Sequence, residues 1–256
     1  MEKEENILGY EKISKLMLKF SVPCVISLLV NSLYNIVDQI FIGRGVGYLG
    51  NGATNVVFPL SVIGMAISFM LGDGASAYLS LKLGEKKKDE AGKGVANGII
   101  VSIVLSLMLC IGSFIFLPQL LNLFGCTDAL RPYALNYGKV ITLGLPFMMI
   151  GSSLNSIIRA DGSPKYAMTS MVSGAILNII LDPIFIFVLH KGVWGAAVAT
   201  VVSQIVTFGM NTLYIRKFKS IEINKSNFKF ELKRSLKVAS LGISSFITQM
   251  TFVCVM

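Results

Sequence analysis

The 256-residue chain is short of charge. Asp, Glu, Lys and Arg make up 14% of it, well below the roughly 25% of soluble domains, which excludes an ordinary water-facing surface. Its one histidine, His190, cannot build a metal centre, which needs several ligands. Its one tryptophan, Trp194, is expected as an interfacial anchor. The four cysteines, Cys24, Cys110, Cys126 and Cys254, show no close metal spacing, and three lie in apolar runs where Cys acts as a small hydrophobe. The run KLGEKKKDEAGK from Lys82 contains no phosphate loop, and the glycines between Gly43 and Gly52 fail the GxGxxG spacing. What fills the chain is apolar: 54% hydrophobic residues and a mean hydropathy of +0.70.

A bilayer span needs about 20 apolar residues. Six such segments fall near 16–42, 56–81, 95–117, 133–158, 166–189 and 194–215, and a seventh opens near 236 and is still apolar at Met256. These predict an all-α membrane protein: a cytoplasmic N-terminal segment (1–15), a six-helix transmembrane bundle (16–215), a basic linker (216–235) and a seventh, truncated helix (236–256). The net charge of +9 is concentrated in alternate loops, in Lys82, Lys86, Lys87, Lys88 and Lys93 and again from Arg216 to Lys237. By the positive-inside rule those loops and the N-terminus are cytoplasmic, in a multi-pass protein of the plasma membrane. Lipid accounts for the charge, and no nucleic acid is needed. The first apolar segment is too long for a cleaved signal and follows Glu2, Glu4, Glu5 and Glu11.

Asp38 in YNIVDQIFIG and Asp182 in LNIILDPIFIF lie deep inside apolar segments. A carboxylate is costly there and marks an ion path, a proton relay or a substrate site. Asn31, Tyr34, Asn35 and Asp38 follow i, i+3, i+4, i+7 spacing and share one helical face; Asn178 and Asp182 are four apart on another. Thr200, Ser203, Gln204, Thr207 and Asn211 form a stripe on the sixth segment, and Tyr137 and Asn155 share a face of the fourth. These stripes are expected to converge in the bundle, although Ser, Thr, Asn and Gln also serve simply to join membrane helices. Pro183 removes the N–H that would engage the Ile179 carbonyl, an oxygen available to a cation with Asp182 and Asn178. Pro23 offers a hinge about four turns from Asp38. Burial and a second nearby carboxylate both disfavour charge on a carboxyl, whereas bound Na⁺ favours it. The residues therefore leave H⁺ and Na⁺ both open.

The phrases VDQIFIGRGVG, GLPFMMIGSSLNSIIRADGSPKYAM, NIILDPIFI and GVWGAAVATVVSQ, in this order and spacing, resemble the N-terminal lobe and the start of the C-terminal lobe of a multidrug and toxic compound extrusion (MATE) transporter. The likeness is greater to DinF- and MepA-type than to NorM-type members. It implies two six-helix bundles around a cleft, exporting amphipathic, often cationic, small molecules against inward H⁺ or Na⁺, with no other cofactor and no enzymatic step. It further implies a cation site at Asp38, Asn178, Asp182 and Thr200, a surrounding hydrogen-bond network at Tyr34, Tyr137 and Asn155, and a bending point at Pro23. A missing second lobe, or a second copy of the chain, would complete the cleft.

Two other readings were open. A flippase of the related superfamily would carry lipid-linked precursors. An intramembrane aspartyl protease is suggested by LGDG around Asp73, but Met70 takes the first glycine position of the GxGD element and Val37 precedes Asp38 where a tyrosine is required. Asp73 itself lies about two turns inside its helix, facing a vestibule or the cytoplasmic end.

Overall fold

The computed structural model describes residues 12–255, with side chains described at all of these except 16, 225, 226 and 252–255. The acidic residues from Glu2 to Glu11, the Cys254 side chain and Met256 lie outside the described set. Among the described residues there is no strand, and six helices are long and apolar enough to cross a membrane. They are α1 (Ile13–Gly45), α2 (Tyr48–Gly84), α3 (Lys88–Ile115), α5 (Arg131–Ala160), α6 (Pro164–Pro183) and α7 (Gly192–Tyr214), with a short α4 (Leu117–Leu123) after the third. Every helix exceeds its apolar run at one end or both, because intrahelical hydrogen bonds satisfy the backbone whether or not the side chains are apolar. Helix α4 went unforeseen: Pro118 starts it at the first turn, where a missing N–H costs nothing.

Helix α5 is the hub. Two-thirds of its most apolar stretch is buried (67%), against 12% for α1, which rests mainly on α6. Apolar side chains gain little by leaving lipid for protein, so membrane helices associate through close packing and interhelical hydrogen bonds. Both are visible where α2 meets α5. A Cβ on Gly72 would stand 2.7 Å from Ser153 Cα and 2.8 Å from its carbonyl oxygen, so only glycine admits this approach. Ser68 Oγ donates to the Met149 carbonyl at 2.6 Å, and from the neighbouring α3 the Ser102 hydroxyl pairs with that of Ser153 at 3.1 Å.

The segment after α7 is fastened to the bundle by two buried side chains. Asp161, 2% exposed at the turn between α5 and α6, accepts Tyr214 OH at 2.8 Å and the backbone N–H groups of Lys219 and Ser220 at 2.9 Å each. Asn97, wholly buried in α3, accepts Glu231 N–H at 2.8 Å and Ser235 Oγ at 3.2 Å, and donates to the Lys229 carbonyl at 3.1 Å. Between these clasps Ile221 enters an apolar cluster with Tyr78, Leu79, Val95, Leu154 and Val238. The chain then forms α8 (Leu232–Leu241) and α9 (Ile243–Val255). Their break falls at Gly242, whose missing side chain lets it lie against the Met70 carbonyl and Gly74 of α2. Helix α1, by contrast, runs through Pro23 without interruption, and Ser27 Oγ donates to the Pro23 carbonyl at 2.8 Å. In the turn between α2 and α3, Lys82 and then Lys87 hold the Glu85 carboxyl below the usual range.

The α2–α5 contact sets an expectation. Gly72→Val must displace the Ser153 backbone and is expected to cost about 1–3 kcal/mol, the usual penalty of overpacking. Thermal unfolding of the detergent-solubilised chain reads this directly, with Gly112→Val, where nothing lies near the added carbon, as the unaffected control.

Candidate cation-binding site

Asp38 projects from α1 about two turns before its end, and Asp182 is the penultimate residue of α6. Both are buried, at 7% and 0% exposure. Helices α1 and α6 pack against each other, and the two carboxyls are near enough to interact electrostatically. One turn earlier on α6, Asn178 donates from Nδ2 to Asp182 Oδ1 at 3.2 Å and to Thr200 Oγ1 of α7 at 3.4 Å. Three of the four residues predicted as the cation set, Asn178, Asp182 and Thr200, thus form one hydrogen-bonded group on α6 and α7, with Asp38 of α1 nearby. Tyr34 and Tyr137 stand close enough to feel the charge of both carboxylates.

Three oxygens of this group, Asp38 Oδ1, Asn178 Oδ1 and Asp182 Oδ2, are buried without a hydrogen-bond partner. Buried polar atoms are normally satisfied, so a cluster of acceptors without donors calls for a positive charge. The donor set of two carboxylates, an amide oxygen and a hydroxyl is all oxygen, as hard cations prefer. A proton suits it equally, because it turns one carboxyl into the missing donor. Just past Asp182 the helix takes Pro183 into a π-turn over Ile184–Val188, the wider geometry that recurs at functional sites.

Not every predicted residue arrives. Asn155 donates to the Ala167 carbonyl at 2.9 Å and to Ser170 Oγ at 3.3 Å. It joins α5 to the first turns of α6, some 15 residues from Asp182 and hence about 22 Å along the helix. Asn35 is exposed, its amide turned back to the Asn31 carbonyl at 2.7 Å. Of the α7 stripe only Thr200 joins the group, through the Asn178 amide: Thr207 bonds the Ser170 carbonyl at 3.3 Å and Asn211 the Gly151 carbonyl at 2.9 Å, as helix connectors. Asp73 is half-buried and accepts Ser245 Oγ of α9 at 2.8 Å. Two contributors had gone unnoticed. Gln39 follows Asp38 on α1, and Thr54 Oγ1 of α2 donates to Gln39 Oε1 at 3.2 Å, bringing a fourth helix beside the site.

Comparison with known proteins agrees with this architecture. The MatE family model matches residues 23–184. The Multidrug export protein MepA of Staphylococcus haemolyticus (strain JCSC1435) is 30% identical over 252 residues, covering 96% of this chain and 55% of the relative. A MOP superfamily transporter from Pyrococcus furiosus superposes with a TM-score of 0.88 at 27% identity, over 98% of this chain and 56% of that one. A multidrug resistance MATE family transporter in its outward-facing conformation gives 0.88 at 28% identity, with the same coverage. The chain thus spans about half the length of the curated relatives it matches.

The nearness of the two carboxyls can be checked in the chain itself. With Cys24, Cys110, Cys126 and Cys254 replaced by Ser, the Asp38→Cys/Asp182→Cys protein is expected to join through a short bifunctional thiosulfonate. The Asp38→Cys/Asn155→Cys protein is expected not to. Mass spectrometry of the digested protein identifies the linked peptides, and equal linking of both pairs would contradict the geometry.

Proposed function

Because the chain belongs to the MatE family, whose members are transporters rather than enzymes, we propose that it forms the N-terminal lobe of a secondary multidrug exporter driven by inward H⁺ or Na⁺. The observation that carries this reading is the pair of buried carboxylates with Asn178 and Thr200 beside it, a group in which three oxygens lack a hydrogen-bond partner. Asp38 and Asp182 are the coupling residues. Asn178 and Thr200 supply neutral oxygens, and Tyr34 and Tyr137 wall the site.

The pair bridges α1 and α6, and α1 is the least embedded span. Apart from the carboxylates, α1 is gripped near this end by an edge-on Phe41–Phe187 contact at 6.1 Å and by Gly45 against Ile186. A positive charge between the aspartates draws α1 onto α6; its departure leaves two like charges near each other, which repel. That repulsion acts on a helix whose far half contains Pro23, the point where bending costs least. Ion occupancy thereby becomes helix shape, the element alternating access requires. The exported compounds are amphipathic and cationic, and the cleft that holds them is completed by a second lobe or a second copy. The protein resides in the plasma membrane with its N-terminus in the cytoplasm, the side favoured by its Lys-rich loops.

Vesicles carrying the complete transporter test the proposal. Cationic dye efflux is expected under either a Na⁺ or a pH gradient imposed alone, and the effective gradient names the coupling ion. Asp38→Asn and Asp182→Asn are each expected to lower gradient-driven efflux by about tenfold or more while leaving membrane insertion intact. Undiminished efflux in both variants would reject the coupling roles.

A further inference from the structure

The amphipathic helix α8 presents a face that the bundle does not use. Ser235 and Val238 are turned inward, onto Asn97 of α3 and Gly74 of α2. At 100° per residue, Leu232 and Leu236 lie together on one flank of the helix, next to Lys233 and Lys237, which point away from the bundle. Both leucines are more than 60% exposed, and the chain leading into the helix adds exposed Phe228, Lys229 and Phe230. Among the described residues, no acidic side chain is paired with Lys229, Lys233 or Lys237; Arg234, on the inward side, takes Glu231 at 2.8 Å. Apolar residues and unneutralised lysines therefore share one surface.

The depth of this surface is fixed by α3. Its last charged residue is Lys93, and from Val95 to Ile115 it is uncharged. Asn97, one turn past Lys93, holds Glu231 N–H and Ser235 Oγ, so the first turn of α8 stands where α3 passes from charged to apolar. That is the level of the membrane–water boundary. The Asp161 and Asn97 clasps leave the helix little freedom to roll away from it.

We propose that α8 and the residues leading into it form an interfacial lipid-binding surface. Phe228, Phe230, Leu232 and Leu236 enter the leaflet, and Lys229, Lys233 and Lys237 hold anionic phospholipid headgroups. Charge complementarity and continuity with the membrane-spanning face of α3 favour an anionic leaflet over a protein partner. An amphipathic helix with leucine and phenylalanine on one side and lysines beside them has the composition of an in-plane membrane segment, and each lysine near an acidic leaflet adds to its hold. The inference is independent of transport activity.

Trp194 is the only tryptophan, so Trp194→Phe/Leu236→Trp places the sole fluorophore on this face. The chain is reconstituted in vesicles of phosphatidylcholine and phosphatidylglycerol, with brominated acyl chains on one lipid at a time. Brominated lipid is expected to quench strongly and aqueous iodide weakly. Brominated phosphatidylglycerol is expected to quench at least about twofold more than brominated phosphatidylcholine at equal mole fraction, a preference lost on adding Lys229→Gln, Lys233→Gln and Lys237→Gln. Trp194→Phe/Phe230→Trp supplies an independent reporter. Quenching by iodide, quenching by neither agent because protein covers the face, or an unaltered lipid preference in the glutamine variant would overturn the proposal.

Discussion

Two carboxylates buried near each other inside a shell of apolar helices disfavour each other's charge. Burial weakens the screening that bulk water would give, so a positive charge between them relieves their repulsion. Asn178 Nδ2 donates to Asp182 Oδ1 and to Thr200 Oγ1, while three acceptor oxygens in the same neighbourhood find no donor. On the proposed reading, a proton or a metal cation completes the arrangement. Other features of this end of the bundle gain their meaning from that constraint: the π-turn after Pro183, the Phe41–Phe187 contact and the weakly embedded α1.

The opposite end is built for permanence. There Asp161 accepts three donors and Asn97 is engaged on both sides of its amide. Glycines bring backbones together where α2 meets α5 and again where it meets the α8–α9 break. A buried polar network with its hydrogen bonds satisfied rigidifies its surroundings, and a buried polar group left unpaired is costly. The lobe thus sets a fixed body, centred on α2 and α5, against a lightly held helix bearing Asp38.

Much of this was legible in the residues, for physical reasons. Lipid forces spans to be long and uncharged, so six helices can be counted from hydropathy. A carboxylate in such a span is costly enough to stand out, so Asp38 and Asp182 identified themselves, and the four-residue step placed Asn178 beside Asp182. Periodicity, however, fixes a face and not a partner. Tyr137 and Asn155 share a face of α5, yet only Tyr137 is near the carboxylates, because the five turns between them carry Asn155 to the other end of the bundle. Gln39 looked ordinary beside Asp38, since uncharged polar residues are common glue in membranes. Asp161 looked like any turn residue in RADGSP, and Asn97 like a lone helical amide. Their partners lie 58 and 134 residues away, a separation no local pattern reports.

Isotope-edited infrared difference spectroscopy of the reconstituted chain, with its aspartates ¹³C-labelled, measures the shared charge itself. In Na⁺-free buffer near neutral pH the account predicts one carboxylic-acid carbonyl band belonging to the pair. Asp38→Asn and Asp182→Asn should each change or abolish it, because the proton is held by both side chains together; exchange into Na⁺ also removes it if the site takes that ion. Two fully ionised carboxylates without bound cation, or a band in which each substitution leaves the other aspartate's signal untouched, would contradict the account.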